Sequence, residues 1–343
     1  MVNIKDLTLK EIENRLLEAG EKPFHARQVF AWIYNKGAAS FDEFTDLSKR
    51  LREYLKKEFF ISVPQIISQE TSTDGTRKIL LKLDDSNCIE CVLISEENRL
   101  TLCISTQVGC ALGCVFCMTG KEGFVRNLKF REMAEQVFAA KSILKNNQNI
   151  TNIVLMGMGE PLLNYDEVIK FLKIATDPKG FAFAAKRITV STAGMIPMME
   201  KLGRETNVNI AISLNAATDE VRNKLMPVNK KYPLKELLEA CRRCPMKRSR
   251  RVTFEYILIK GINDLTDDAK RLLKLLKGIP CKINLIPFNP FPDTNFERPS
   301  DEAALKFQKI LLDAGYTVFV RQSKGRDISA ACGQLRGRIY KKV

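Results

Sequence analysis

The sequence of 343 residues predicts an α/β protein: a partial barrel of six βα units, with a helical module in front of it. Two observations support this prediction. From "NIVLMGMG" to "CKINLIPFN", strand-like segments alternate with helical ones, as they do in parallel βα units. Polar or glycine-rich residues follow the strand segments, and the strand ends of a barrel carry its active site. We therefore expect one large cofactor site at the barrel mouth.

Four regions follow along the chain. Residues 1–62 are expected to form an N-terminal helical module that binds RNA. They show three helical patterns, the first opened by a capping box of Thr8 and Glu11 and ended by Gly20. Residues 63–99 predict a β-hairpin extension, because Asp74 and Gly75 form a turn signal between apolar segments. We expect residues 100–322 to form the partial barrel and residues 323–343 to form a C-terminal catalytic loop and tail.

The amino-acid composition indicates the kind of partner, the cell compartment and the cysteine chemistry to expect. Lys and Arg number 55 against 40 Asp and Glu, a formal charge of +15 that favours a nucleic-acid partner or, alternatively, a generally basic enzyme. Basic residues cluster in "MKRSRR" and "LRGRIYKKV". The charged N-terminus is unlike a signal peptide and no segment could span a bilayer, so we expect a cytoplasmic protein. Ten cysteines in a reducing compartment suggest metal or thiol chemistry. The one histidine, His25, is expected to be structural or to face RNA.

Three cysteines stand close together in "QVGCALGCVFCMTG": Cys110, Cys114 and Cys117. A metal or a cubane cluster usually takes four thiolates, so the spacing leaves two interpretations. In one, Cys241 or Cys244 completes a structural zinc site, although Cys241 is better placed in the core and Cys244 at a helix end. In the other, a four-iron cluster keeps one iron open to a substrate.

The second interpretation gains from a resemblance. The C-x3-C-x2-C loop, followed by "GMGEP" after the next strand, resembles the radical S-adenosylmethionine (SAM) superfamily. In that superfamily SAM completes a [4Fe–4S] cluster, and its cleavage releases a 5′-deoxyadenosyl radical. Over nearly the whole chain, the motifs are similar to the RlmN family of dual-specificity adenine-C2 RNA methyltransferases: "LCISTQVGCALGCVFCMTG", "GFVRNL", "VLMGMGEPLLNYD", "ITVSTAGMIP", "AISLNA" and "AACGQL".

The resemblance implies the reaction and its catalytic residues. The family methylates C2 of an adenosine in the peptidyl-transferase region of 23S rRNA and of an anticodon-loop adenosine in some tRNAs, with two SAM per turnover. Cys332 would take the methyl group of one SAM, and the radical from the second SAM would convert it to a methylene radical that adds to C2. Cys103 would then attack the Cys332 sulfur, leaving a disulfide to be reduced. Glu90 matches the family's proton acceptor, although its position in a strand also fits a solvent-facing residue.

The resemblance also assigns the SAM contacts, the partners and the rivals. The SAM contacts are Gly159, Glu160, Ser191, Ser213, Leu214, Asn215 and Asn289. Many members carry His in place of Asn215, which matters only if the side chain makes the contact. We expect an electron donor such as flavodoxin or ferredoxin, no membrane partner and a monomer. The rivals are a Cfr-type enzyme acting on adenine C8 and a non-catalytic iron–sulfur protein that binds RNA.

Overall fold

The structure, a computed structural model, describes residues 1–145, 148–244, 251–292 and 294–337. The basic clusters predicted at 246–251 and 335–343 therefore lie mostly outside the described residues. Within the described ranges, no helix is both long enough and apolar enough to cross a membrane.

The N-terminal module packs three helices together and joins its two ends by a short parallel pairing. Its elements are β1 (Val2–Asn3), α1 (Leu9–Glu18), α2 (Pro23–Tyr34), α3 (Lys49–Glu58) and β2 (Phe59–Phe60). The capping box is confirmed, since the Thr8 N–H donates to the Glu11 carboxylate at 2.7 Å and the Glu11 N–H donates to Thr8 Oγ1 at 3.4 Å. Gly20 follows α1 with a φ of 77°, a conformation that favours glycine.

The extension is an antiparallel arm of three strands rather than a single hairpin. It contains β3 (Gln65–Thr71), β4 (Arg77–Lys82) and β5 (Cys88–Glu96), and β5 also pairs antiparallel with β6 (Arg99–Cys103). The turn between β3 and β4 contains Asp74 and Gly75, as predicted, and Gly75 has a φ of 82°. The arm is therefore continuous with the barrel sheet.

An irregular segment between β6 and the next barrel strand carries the cysteine motif. It includes a small antiparallel hairpin of β7 (Gln107–Gly109) and β8 (Phe124–Asn127) around α4 (Met118–Lys121), then α5 (Phe130–Ser142). Gly109 has a φ of 73°, and a Cβ there would lie 1.8 Å from the Gly123 carbonyl oxygen. The hairpin therefore closes only with glycine at this position.

The barrel consists of parallel strands with helices in the connections. The elements that follow α5 are β9 (Asn152–Leu155), α6 (Tyr165–Thr176), β10 (Ile188–Thr192), α7 (Ile196–Glu205), β11 (Asn209–Ser213), α8 (Asp219–Leu225), α9 (Leu234–Arg243), β12 (Val252–Leu258), α10 (Thr266–Leu276), β13 (Cys281–Pro287), α11 (Asp301–Asp313) and β14 (Thr317–Val320). The spatial order is β14-β13-β12-β11-β10-β9-β6-β5-β4-β3. The six predicted core strands are adjacent and parallel, and β14 extends them by one. Their carboxyl ends meet at one mouth, where ligands bind in such folds.

Candidate active site

One cavity inside the barrel gathers most of the residues predicted to act. It measures about 370 Å³. Its lining includes the five predicted functional thiols, Cys103, Cys110, Cys114, Cys117 and Cys332. It also includes six of the seven predicted SAM contacts: Gly159, Glu160, Ser191, Ser213, Asn215 and Asn289. Leu214 and Glu90 do not line it.

The three motif thiols are enclosed by protein and are electrostatic neighbours. Burial raises the pKa of Cys110 to about 12 and raises the pKa of Cys117, against the effect of backbone N–H groups that favour their thiolates. Burial, followed by the Cys117 and Cys110 thiols, raises the pKa of Cys114 well above its usual value. Because a bound metal ion stabilises thiolates, binding of metal cations to these three cysteines would release their thiol protons.

These residues fit a [4Fe–4S] cluster better than a zinc ion. Within the described ranges, no three His, Cys, Asp or Glu side chains are arranged to hold a single metal ion. In a cubane each cysteine ligates its own iron, so three sulfurs on one cavity wall need not converge on one ion. Cys241 is buried in α9 and Cys244 is its C-cap residue, as predicted, and neither lines the cavity. The cysteine motif thus offers three thiols to a cluster and leaves the fourth ligand to a bound molecule.

Cys103 and Cys332 reach the cavity from different parts of the fold. Cys103 ends β6 and pairs with Val154 of β9, which fixes its backbone in the sheet. Cys332 lies on the C-terminal loop, where its side chain is accessible from the open cavity although the surrounding protein raises its pKa. Burial and then the Cys332 thiol raise the pKa of Cys103, so the two thiols are close neighbours. Each also needs a partner or base to become a thiolate.

Glu160 presents a buried carboxyl group beside the motif thiols. Its Oε1 accepts from the Leu162 N–H at 3.1 Å and its Oε2 accepts from the Ala193 N–H at 2.8 Å. Burial raises the pKa of Glu160 to about 7, although these hydrogen bonds oppose the shift. Such a carboxylate gains from a cationic partner, as the SAM ammonium would be.

The raised pKa of Glu160 predicts a pH-dependent stability difference in the cofactor-free chain. The folded value of about 7 exceeds the reference value of 4.5, so the folded chain binds more protons between them and stability falls as pH rises through this window. Glu160→Gln removes the effect, so its free energy of unfolding relative to wild type should rise by about 3 kcal/mol from pH 4 to pH 8. Urea unfolding of both proteins across this range measures it, and parallel pH profiles would contradict the shift.

Gly159 is required by a close approach of two backbone segments. Its φ is 99°, and a Cβ there would lie 2.5 Å from Gln107 Cβ and 2.9 Å from the Gln107 nitrogen. Gln107 in turn accepts the Glu160 N–H through its side chain at 2.8 Å. The glycine therefore holds the "GEP" turn against β7 and places the Glu160 carboxyl group.

Asn215 contributes mainly through its backbone conformation. Its φ of 58° lies in the left-handed region, where Asn and His are enriched among residues other than glycine. Its Oδ1 accepts from the Ile257 N–H at 2.9 Å, which ties β11 to β12. Leu214 is fully buried and lies outside the cavity lining, and its backbone carbonyl accepts from Arg222 Nε at 2.9 Å. Both observations support backbone roles at these positions.

Asn289 offers an acceptor to the cavity. Its Nδ2 donates to the Cys332 carbonyl at 3.2 Å. Its Oδ1 is buried and has no hydrogen-bond partner among the described residues. A buried acceptor of this kind is costly unless a ligand satisfies it, which fits a site built for SAM.

Glu90 lies behind the cavity rather than in it. It is 2% exposed on β5, so the alternative of a solvent-facing residue is wrong. Its Oε1 is 3.3 Å from Lys78 Nζ, and its Oε2 accepts from the Arg336 and Gly337 N–H groups at 2.7 and 3.1 Å. In this structure Glu90 thus contacts the segment that follows Cys332.

The sequence reasoning missed two buried charges at the site. Arg222 of α8 is fully buried, donates to the carbonyls of Ala193 and Ser213 at 2.8 and 3.1 Å, and so joins the ends of β10 and β11. Glu255 of β12 lines the cavity and raises the pKa of Cys332, second to burial. A lone acidic residue in the apolar run "VTFEYILI" was a usable signal for Glu255, since a central parallel strand is buried on both faces. Arg222 sits in a polar helix and gave no comparable signal.

Two family models match the chain. The model of the radical SAM superfamily matches residues 104–276, which contain the cysteine motif and the "GEP" turn. The model described as the ribosomal RNA large subunit methyltransferase N-terminal domain matches residues 2–61, the helical module.

Relatives and a solved structure agree with these matches. The chain is 51% identical over 98% of its length to a dual-specificity RNA methyltransferase RlmN of Syntrophus aciditrophicus, covering 97% of that protein. It is 52% identical over 99% of its length to an RlmN of Geobacter sulfurreducens, covering 93%. The crystal structure of a radical SAM methyltransferase from Sphaerobacter thermophilus is 44% identical, with a TM-score of 0.92 over 98% of this chain and 100% of that one. The chain therefore belongs to the RlmN family of radical SAM RNA methyltransferases, whose members bind a [4Fe–4S] cluster and SAM.

Proposed function

We propose that the protein methylates C2 of adenosine in 23S rRNA and in tRNA, with Cys332 as the methyl carrier and Cys103 as the resolving thiol. One observation carries the proposal. The two thiols share a cavity with Cys110, Cys114 and Cys117, and they are close enough that the Cys332 thiol raises the pKa of Cys103. A radical SAM enzyme that only cleaved SAM would need no such pair.

Cys110, Cys114 and Cys117 would hold the [4Fe–4S] cluster, which when bound would supply the electron for cleavage of SAM into methionine and a 5′-deoxyadenosyl radical. Around it, Glu160 and Asn289 bind and orient SAM, the first through a carboxylate and the second through its orphaned Oδ1. The Cys332 sulfur takes a methyl group by displacement, losing its proton and releasing S-adenosylhomocysteine. Arg321 favours the thiolate that this displacement needs, since it lowers the pKa of Cys332 against the effects of burial and of Glu255.

Cys103 completes the reaction. The deoxyadenosyl radical takes one hydrogen atom from the methyl group on Cys332, and the methylene carbon joins adenine C2 with loss of the C2 proton and of one electron, which the oxidised cluster would take back. The Cys103 thiolate then attacks the Cys332 sulfur, forms the S–S bond and breaks the S–C bond. The electron pair of the broken bond leaves with the carbon, which takes up a proton and becomes the methyl group. A thiol reductant then supplies two electrons and two protons to the disulfide. The backbone of Cys103, fixed between β5 and β9, supports this role because exchange needs a nucleophile at a defined place.

We propose that the target base reaches the cavity through an adjoining opening. A second opening of about 760 Å³ shares Glu96, Arg99, Arg321, Gln322 and Lys324 with the central cavity, so the two adjoin each other. Arg187 also lines it, and Phe319 there is 51% exposed. Cations bind phosphates and aromatic rings stack on unpaired bases, so this opening suits a flipped adenosine in single-stranded RNA.

Removing exposed charge from the N-terminal module is expected to weaken RNA binding without loss of SAM cleavage. The triple variant Lys49→Gln, Arg50→Gln and Lys57→Gln changes exposed residues on or beside the solvent face of α3. If these cations contact phosphates, the plot of log K against log salt concentration should become less steep by about 2. Each phosphate that is no longer neutralised reduces the magnitude of the slope by roughly 0.7 to 0.9.

The matched control removes three exposed cations from the outer barrel helices: Lys274→Gln, Lys277→Gln and Lys306→Gln. Filter binding of a labelled rRNA hairpin between 50 and 300 mM salt (concentrations of about this range span the steep part of the curve) compares the two. Equal slopes for both triple variants would show that binding follows net charge and not the module.

A one-electron donor such as flavodoxin or ferredoxin would reduce the cluster, because SAM cleavage takes one electron at a time. We further propose that the protein is a monomer and that it acts in the cytoplasm, where its RNA substrates and reducing thiols are available.

Anaerobic turnover tests the proposed reaction. The protein, reconstituted with iron and sulfide, is incubated with SAM, a reductant and an rRNA fragment, and the digested nucleosides are separated by mass analysis against standards. The expected product is 2-methyladenosine, together with 5′-deoxyadenosine. 8-Methyladenosine would instead assign the Cfr-type activity, and deoxyadenosine without methylated RNA would overturn the proposed substrate.

A further inference from the structure

The C-terminal segment 323–337, here called the Cys332 loop, is held at its beginning by the extension. The Gly325 N–H donates to Asp74 Oδ2 at 2.9 Å. Asp327 accepts from the Thr73 N–H at 3.0 Å and from the Ser72 hydroxyl. All three partners of the loop belong to the turn between β3 and β4, so this turn fixes where the loop leaves the barrel.

The far end of the loop is held by Glu90. One carboxylate oxygen, Oε2, accepts both consecutive N–H groups, from Arg336 at 2.7 Å and from Gly337 at 3.1 Å. The other oxygen faces Lys78, which also pairs with Glu70 at 3.1 Å. The approach is tight, because a Cβ on Gly337 would lie 2.5 Å from the Cys88 carbonyl oxygen. Only a glycine lets the chain lie this close to β5.

Between the two ends, the loop contacts the cysteine motif through its backbone. The Met118 N–H donates to the Gly333 carbonyl at 2.7 Å, and Thr119 Oγ1 donates to the Leu335 carbonyl at 2.7 Å. The Cys332 carbonyl accepts from Asn289. A loop rich in small residues would otherwise have high conformational freedom, so these bonds decide where the Cys332 sulfur stands.

We propose that Glu90 is a positioning residue for the methyl carrier: it acts from outside the cavity by anchoring the backbone that follows Cys332. This inference goes beyond the proposed reaction but rests on the carrier role of Cys332. Glu90 is separated from the cavity lining, and both of its oxygens already face donors of the chain. A carboxylate that accepts two consecutive backbone N–H groups holds a main-chain segment in one place, and these charge-assisted bonds are stronger than neutral ones.

The anchor and the proton acceptor predict different points of failure. Removal of a proton from the RNA adduct comes after carbon has joined C2, so loss of a base leaves methyl loading of Cys332 intact. Loss of an anchor misplaces the sulfur before any chemistry, so loading itself suffers. The Glu90→Gln variant separates the anchor role from the proton-acceptor role further. The amide oxygen of glutamine still accepts N–H groups, but the side chain cannot act as a base.

Hydrogen exchange of the cofactor-free chain tests the anchor directly. In Glu90→Ala, the amides of Arg336 and Gly337 should exchange at least about tenfold faster than in wild type, since they lose their acceptor. In Glu90→Gln the exchange rate of these amides should rise by no more than about threefold. The amide oxygen of glutamine still accepts their N–H groups, and Lys78 keeps its ion pair with Glu70. Unchanged exchange in Glu90→Ala would overturn the proposal. A peptide from the buried helix α6 serves as the internal control, so that global destabilisation is recognised by faster exchange there too.

Methyl loading provides the second readout. Peptide mass analysis after incubation of reconstituted enzyme with SAM should show slower loading of Cys332 in Glu90→Ala and near wild-type loading in Glu90→Gln. Glu135→Ala is the matched control, since Glu135 is also buried and ion-paired, with Arg131 at 3.2 Å, but has no bond to the loop. Normal loading in both Glu90 variants, with accumulation of an RNA adduct in both, would assign the base role and reject the anchor. If wild type itself carries no methyl group, the carrier proposal fails while the exchange result still stands.

Discussion

Replacement of Cys103 by alanine is expected to trap RNA on the protein, whereas replacement of Cys332 by alanine leaves neither product nor adduct. In Cys103→Ala the methyl carrier is intact, so loading and carbon–carbon bond formation proceed. The S–C bond then persists because no thiol stands at the end of β6 to attack it. In both variants the yield of methylated RNA should fall by about a thousandfold or more, as when other catalytic nucleophiles are removed.

The measurement is a denaturing gel with labelled RNA after anaerobic turnover. A band of slower mobility should appear for Cys103→Ala alone, and protease treatment should abolish it. Cys91→Ala is the matched control, because Cys91 is a fully buried thiol on the neighbouring strand β5 but does not line the cavity. Identical behaviour of the Cys103 and Cys332 variants would mean that the carrier and resolving roles are wrongly assigned.

The second large effect concerns the cluster. Changing Cys114 to alanine should reduce bound iron from about four atoms per chain to nearly none and remove the charge-transfer absorbance. The cluster already has only three protein thiolates, so we expect that it does not bind when one of them is lost. The same loss is expected for Cys110→Ala and Cys117→Ala. Reductive SAM cleavage should disappear with the iron.

Cys241→Ala and Cys244→Ala supply the controls for this experiment. Cys241 is buried in α9, so its replacement should cost about 1 kcal/mol of stability through a small cavity, without change in iron content or absorbance. Cys244 caps α9 and should be neutral in both respects. Iron loss in Cys244→Ala would restore the interpretation in which four cysteines ligate the metal.

The regular part of the fold was predictable because its signals are local. The capping box of Thr8 and Glu11 needs only two residues three positions apart, and the alternation of apolar runs and amphipathic stripes needs only one element at a time. The pairing of Val2 with Phe59 depends on residues far apart in the chain and carries no such signal. The hairpin of β7 and β8 was missed because its strands are short and its register slips at Gly109.

The candidate site also has a part that the sequence indicates and a part that it does not. Spacing and the family resemblance place the cysteines and the "GEP" turn, and the cavity lining agrees with those positions. Neither source indicates that Glu90 accepts backbone N–H groups almost 250 positions away, at 336 and 337. Nor do they indicate that the Arg222 guanidinium is fully buried among strand-end carbonyls. Such contacts arise only when strands and loops from both ends of the chain meet, so periodicity and local spacing carry no trace of them.

The deep placement of the Cys103 thiol has a consequence for oxidative damage. Peroxides attack thiolates that they can reach, and Cys103 is a buried thiol whose pKa is raised by its surroundings. At neutral pH it is therefore a poor target for conversion to sulfenic acid, even though the proposed reaction makes and breaks a disulfide there in every cycle. The same burial that slows stray oxidation makes the proposed resolution step depend on the Cys332 sulfur, which the fold places close to Cys103.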